Sequence, residues 1–343
     1  MFASVKQFYW GLRADIPILR CVFGVTLGLI VSTSLGYLIP HITAVFALMF
    51  LDVGNRPLGL KKEFGLVLLI FLLGYFGVFI GYYLIDYPLV IVPLMALFIF
   101  LSFRLNSIPQ PVRLLFLMLS MLIPFISMKA EMLGTVVLSA MLFNLIIAMI
   151  VVRISFLIFP YSEKEDLNAS AQKKALPYKN IDMDKLAFNG LLVLFPLILM
   201  FYLFNSNIAI LTLVFVLLLG LDPFIYQSKK GAGLILANVI GGAAGILAYN
   251  ILVIAPSYLL YIFVVLSFGF YFAINLFSGK KLAPVFKISF NTFFVVMGTI
   301  ATSTNEAGDT IWERLLQIGL AVIYLVVAFR VVNKLNNPKQ INA

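Results

Sequence analysis

The chain has 343 residues, of which 63% are hydrophobic and 11% charged, with a mean hydropathy of +1.09. Soluble domains carry roughly a quarter charged residues, so this composition excludes one and implies an all-α polytopic membrane protein. The net charge of +10 would suit a nucleic-acid surface, but the basic residues punctuate the ends of apolar runs instead of clustering, so no nucleic-acid partner is expected. One cysteine, Cys21, inside the first apolar run excludes a disulfide framework and a cysteine metal site.

A spanning helix needs about 20 apolar residues. In chain order the apolar runs predict segments at 17–39, 42–52, 62–85, 88–103, 112–128 and 131–159, then 186–204, 207–221, 231–254, 257–277, 282–301 and 311–332. The first run is too long for a signal-peptide core and is expected to stay as an anchor. Six segments per half predict about twelve transmembrane helices in two parallel six-helix repeats, 1–160 and 186–343, joined by a polar cytoplasmic linker at 161–185.

Short cytoplasmic loops carry an excess of Lys and Arg. With both termini cytoplasmic, all of the 24 basic residues except Lys129 and Arg314 fall on or near the cytoplasmic side. Removing one segment would invert every later loop and put Lys229, Lys230, Lys280 and Lys281 outside. The most polar external loop, Ser303 to Arg314, carries Glu306, Asp309, Trp312 and Glu313; it is either an ordinary solvated loop with an interfacial tryptophan or a docking point.

The two halves share a written pattern. Lys61-Lys62-x-x-Gly65-Leu66-x-Leu68 returns 168 residues later as Lys229-Lys230-x-x-Gly233-Leu234-x-Leu236, and at the same offset Gly74, Gly77, Leu84 and Pro88 fall on Gly242, Gly245, Leu252 and Pro256. Nine of the 28 positions from 61 to 88 are identical, which implies a tandem duplication of the kind that builds two-halved transporters.

The stretch Leu219 to Pro256 holds Leu221-Asp222-Pro223, then Ser228-Lys229-Lys230-Gly231-Ala232-Gly233 and Gly241-Gly242-Ala243-Ala244-Gly245. The first half has Asp52-x-Gly54-Asn55-Arg56-Pro57 and Lys61-Lys62 at the equivalent place. A short second segment, a polar turn and a basic start to a glycine-rich third helix, twice over, resemble the fusaric-acid-resistance (FUSC) superfamily, and specifically its compact bacterial members without a large cytoplasmic domain. The resemblance implies a multi-pass protein of the bacterial inner membrane that exports small organic or aromatic acids, with a periplasmic adaptor of the membrane-fusion type as a partner. A homo-oligomer is a further expectation.

Polar groups in lipid are costly unless they face a partner or water, so each is a candidate site. Arg20, Asn238, Asn250, Lys287 and Asn291 are the candidate substrate path. Asn238 and Asn250, twelve residues apart, are expected near one face, either binding a carboxylate or bonding a neighbouring backbone. Arg20 and Lys287 either snorkel to headgroups or attract an anion. Lys61, Lys62, Lys229 and Lys230 open helices where a cation opposes the dipole, which suggests an anion-collecting vestibule or contact with membrane lipids, although topology alone accounts for them. Asp52 and Asp222 end an apolar helix at its cytoplasmic turn and are either proton relays or caps of the next helix. Gly24, Gly28, Gly74, Gly77, Gly241, Gly242 and Gly245 are read as helix-packing positions, with the two third helices bordering the path. His41 is expected at the external interface.

No metal is expected, because the clustered aspartates of a prenyltransferase and the His or carboxylate clusters of a metallohydrolase are missing; an enzyme is therefore not expected, nor a cofactor. Proton-coupled efflux stands against two alternatives, a passive organic-anion channel and a non-transporting assembly partner.

Overall fold

The computed structural model describes residues 2–36, 38–53, 56–84, 86–104, 110–129, 131–161, 183–204, 228–280 and 282–301, and, beyond these, 320, 323–325, 327–328 and 331–332. Among the described residues there is no strand. The helices are α1 (Phe2–Ser34), α2 (His41–Phe50), α3 (Leu60–Phe79, continued by a π turn Ile80–Leu84), α4 (Pro88–Arg104), α5 (Gln110–Lys129), α6 (Glu131–Ile158), α7 (Met183–Phe204), α8 (Ser228–Ile254), α9 (Tyr258–Leu276) and α10 (Ala283–Ala301).

Ten predicted segments coincide with these helices. The segment 207–221 lies outside the described residues, and 311–332 is described at a few positions only, all helical. Helix α1 begins far ahead of the predicted start at 17, because hydropathy marks where a helix enters lipid and not where it begins. Among the described residues, five stretches are long and apolar enough to cross a membrane: Ile16–Ser34, Leu60–Leu84, Met132–Ile158, Leu236–Ile254 and Tyr258–Leu276. Side chains such as Leu89, 92% exposed, and Ile254, 84% exposed, would be untenable in such numbers in water and fit a surface that faces lipid.

Local chemistry sets several helix starts. Pro88 opens α4 and Pro284 is the second residue of α10, positions where the missing N–H costs nothing. Ser257 caps α9, its hydroxyl accepting from the Leu260 N–H at 3.2 Å. Prolines 17, 93, 124 and 196 sit inside helices, as lipid-embedded bundles tolerate.

The helices sort into two compact units. Unit 1 comprises Met1–Phe64, Phe143–Pro177 and Leu236–Ile311; unit 2 comprises Gly65–Leu142, Tyr178–Ile235 and Trp312–Ala343. Unit 1 thus combines α1 and α2 with α9, α10 and most of α8, while unit 2 combines α7 with α4, α5 and most of α3.

In unit 1, α1 packs on α9 and α2 on α10; in unit 2, α7 packs on α4. The contacts are reciprocal in detail. In unit 1, Val22 of α1 lies against Gly269 of α9, whereas in unit 2 Gly190 of α7, 168 residues beyond Val22, lies against the Phe103 ring of α4. The third-helix glycines also repeat their use. A methyl group on Gly77 of α3 would press on the Leu119 carbonyl oxygen and Ile123 of α5, and one on Gly245 of α8 would press on Val296 of α10. Close backbone approach is what holds helices together in lipid, where burial of apolar surface gives no net drive. Aromatic packing fills the α9–α10 seam, with Phe272 stacked on Phe290 at 5.2 Å and Phe268 on Phe293 at 5.2 Å.

Candidate functional site

Helix α2 has ten residues, about 15 Å of rise against a hydrocarbon core of about 30 Å. It is held at both ends. His41, its first residue, lies against Gly298 of α10, so closely that a methyl group there would enter the imidazole ring. Just beyond its other end, the Asp52 carboxylate accepts from Lys287 Nζ of α10 at 2.5 Å, while its second oxygen accepts from the Val53 N–H at 2.8 Å. From His41 to Asp52 and from Gly298 back to Lys287 is the same number of residues, so the two helices run antiparallel in register. Both members of the ion pair are part-buried, with the Lys287 side chain 35% and the Asp52 side chain 21% exposed.

Helix α1 supplies the floor. A methyl group on Gly24 would strike Leu51 and Ser155, and one on Gly28 would lie 3.2 Å from Thr43, so both glycines let α1 approach α2 and α6 together. One turn earlier, Arg20 is 3% exposed, donates to the Phe159 carbonyl at 3.3 Å and stacks on the Phe156 ring at 4.5 Å. The ring of Tyr161 has two guanidinium neighbours, Arg20 and Arg56, each 5.6 Å from its centroid. Arg20 is thus folded into the protein and does not snorkel.

Arg153 of α6 donates from Nε to both oxygens of Glu63 at 2.9 and 3.0 Å, and its Nη2 lies 2.8 Å from Glu63 Oε2. Glu63 lines a small open cavity with Phe50, Arg56, Leu58, Met149 and Val152. Four cationic side chains, Arg20, Arg56, Arg153 and Lys287, and two carboxylates, Asp52 and Glu63, therefore gather in unit 1. That balance is net positive and suits an anion.

The other end of the α1–α2 hairpin is tied by Asn144, which is fully buried. Its amide oxygen accepts from Ser32 at 2.6 Å and Thr43 at 2.5 Å, and its nitrogen donates to the Leu38 carbonyl at 2.9 Å. The turn it holds contains Ile39 at φ 58°, a left-handed conformation costly for a β-branched residue.

The remaining candidates fall as follows. Asn238 is buried and its amide oxygen accepts from Thr292 of α10 at 2.9 Å. Asn250 is exposed, which corrects the expectation of one shared face: twelve residues at about 100° each leave the pair about 120° apart. Asn291 lies one turn beyond Lys287 on α10, with its amide oxygen buried and no donor in reach among the described residues. Lys61 and Lys62 are exposed on the first turn of α3. The positions of Lys229 and Lys230 open α8, and Asp222 lies outside the described residues. A methyl group on Gly74 would strike Leu138, one on Gly241 would strike the Ser289 carbonyl oxygen, and Gly242 is buried. Sequence reasoning missed the Arg153–Glu63 pair and the Arg56–Tyr161 contact; a helix-embedded arginine with a lone glutamate opening another helix was the available signal.

Among known proteins, a family model described as a protein of unknown function, DUF2955, matches residues 17–157, which is less than half of the chain. The matched span starts in α1 and ends in α6. No curated protein and no solved structure matches the chain. The family is uncharacterised, so this similarity bears on the kind of protein, an apolar helical one of a membrane, and not on its activity.

Proposed function

We propose that the protein is an efflux permease similar to the FUSC superfamily, which exports small organic or aromatic acids from the cytoplasm, coupled to protons. The observation that carries this reading is the Asp52–Lys287 ion pair, formed between the end of a half-length helix and a helix of the other sequence half. Part-buried ionisable groups on the helices of a membrane protein are candidates for function, and transporters place ion and substrate sites at the ends of shortened helices. Proton binding to Asp52 would release Lys287 for a carboxylate, which gives one pair both coupling and recognition. The surrounding arginines supply the positive field that draws the anion in.

Twelve helices in two parallel repeats, with repeat boundaries at 1–160 and 186–343 and both termini cytoplasmic, complete the reading. It is supported by the reciprocal packing of first on fourth helices and by the third-helix glycines meeting the fifth helix in both units. The span of the family match, 17–157, also falls within the first proposed repeat. The bacterial inner membrane, a periplasmic adaptor and a homo-oligomer belong to the same reading and rest on the resemblance.

The test is efflux of a panel of labelled aromatic acids from cells expressing the protein, with and without a protonophore, for wild type and Asp52→Asn. Export that collapses under both treatments supports a proton-coupled exporter. Flux down the anion gradient regardless of protonophore favours the channel, and no flux above empty cells refutes transport of this substrate class.

A further inference from the structure

Asn291 of α10 holds an acceptor that nothing uses. Its amide oxygen is buried without a donor among the described residues, although the residue as a whole is part-exposed. An unpaired buried acceptor is a standing cost to the fold, so it calls for a reason. The elements packed around it give no donor. In the antiparallel register that sets His41 against Gly298 and Asp52 against Lys287, Asn291 falls opposite Leu48, which is apolar and fully buried. Beside it, the Thr292 hydroxyl already donates to Asn238 of α8. Towards α9 the seam is aromatic, with Phe268 on Phe293 and Phe272 on Phe290.

One turn away stands an ammonium. Residues four apart are neighbours on a helix face, and helical side chains lean towards the N-terminus, so the Asn291 amide leans back towards Lys287. In the structure that ammonium is committed to Asp52. Around the pair stand Cys21 and Arg20 of α1, with Cys21 in electrostatic reach of Asp52 and Arg20 engaged by the Phe159 carbonyl and the Phe156 ring. From α9, Tyr271 meets Phe286, the residue before Lys287, edge-on at 6.1 Å. His41 lies at the far end of the same seam, and α8 approaches α10 through Gly241 and Gly245.

We propose that Asn291 is a second station for the Lys287 ammonium: when a proton on Asp52 dissolves the ion pair, Lys287 donates to the Asn291 oxygen and the cation sits one turn deeper along the α2–α10 seam. The proposal rests on the efflux reading and deepens it, because the transported carboxylate then meets a cation held in place, and Asn291 is a positioning residue for it. The proton comes from water and stays on the Asp52 carboxyl. A hydrogen bond from a charged donor is stronger than a neutral one, so the idle acceptor stabilises the released state specifically.

The test is thermal unfolding of the purified full chain in detergent, as a double-mutant cycle of Asp52→Ala and Asn291→Leu. With Asp52 present, Asn291→Leu removes an unpaired acceptor and is expected to raise the melting temperature. In Asp52→Ala, where Lys287 has turned to Asn291, the same substitution strands the ammonium and is expected to lower it. A shift from Asn291→Leu that is no less favourable in Asp52→Ala than in wild type overturns the proposal. Should the double variant alone fail to fold, that synergy is the predicted result, and Asn291→Gln, which keeps an acceptor, is expected to restore folding; failure to restore it overturns the proposal. Should Asp52→Ala itself not fold, Asp52→Ser takes its place. Where wild-type cells export benzoate, Asn291→Leu is expected to lose about tenfold of that export, and unchanged export overturns the role. The unfolding cycle needs no substrate, so its failure refutes the station alone, whereas no export by wild type refutes the transport reading.

Discussion

The two units use one packing scheme and spend their charges differently. In unit 1 the described ion pairs, Asp52–Lys287 and Glu63–Arg153, are part-buried and bridge elements far apart in sequence. In unit 2 the described pair, Arg104–Asp184, is exposed, with side chains 56% and 65% accessible. On the proposed reading of two repeats, reciprocal helix contacts with unequal electrostatics are what duplication followed by specialisation would leave behind. Packing would be constrained by shape in both copies, while charge would be free to drift wherever no function holds it.

The largest expected effect sharpens the structural side of this comparison. Asn144→Leu removes three hydrogen bonds, two of them fully buried, that hold the strained Ile39 turn in unit 1 and leaves Ser32 and Thr43 without this acceptor. A loss of about 3 kcal/mol or more is expected, read as a fall in folded yield and melting temperature of purified protein. Next comes the shared packing scheme. Gly77→Val and Gly245→Val force bulk onto the helix each glycine meets, against the Leu119 carbonyl oxygen and Ile123 in unit 2 and against Val296 in unit 1, at about 1–3 kcal/mol each. If one is costly and the other harmless, the equivalence of the third helices fails.

Smaller effects separate the charges. Arg153→Met strands Glu63 beside the unit 1 cavity, and its cost, about 1–2 kcal/mol, is expected to disappear in the double variant with Glu63→Met. Arg104→Ala in unit 2 is expected to change melting temperature little, about 0.5 kcal/mol at most, with efflux unaffected. A large loss of efflux from Arg104→Ala would break the assignment of function to buried cations.

Helix positions were legible from the sequence because in lipid apolar length and loop charge leave few alternatives, and the predicted segments from 17–39 to 282–301 that fall on described residues meet helices. Pairings were not. Nothing local to Asp52 points to Lys287, 235 residues away, and the sequence places the two in separate roles, proton relay and substrate path. The glycines signalled close packing without saying against what. Asn250 was misplaced by an arithmetic of helix phase that buried Asn238 and exposed Asn250 make plain.

The most direct test reconstitutes the full chain in liposomes and measures uptake of labelled benzoate with and without an imposed pH gradient. The account predicts accumulation that follows the gradient, is abolished in Asp52→Asn and is reduced about tenfold or more in Lys287→Gln. Accumulation no greater than in protein-free liposomes, or equal in wild type and both variants, would contradict it.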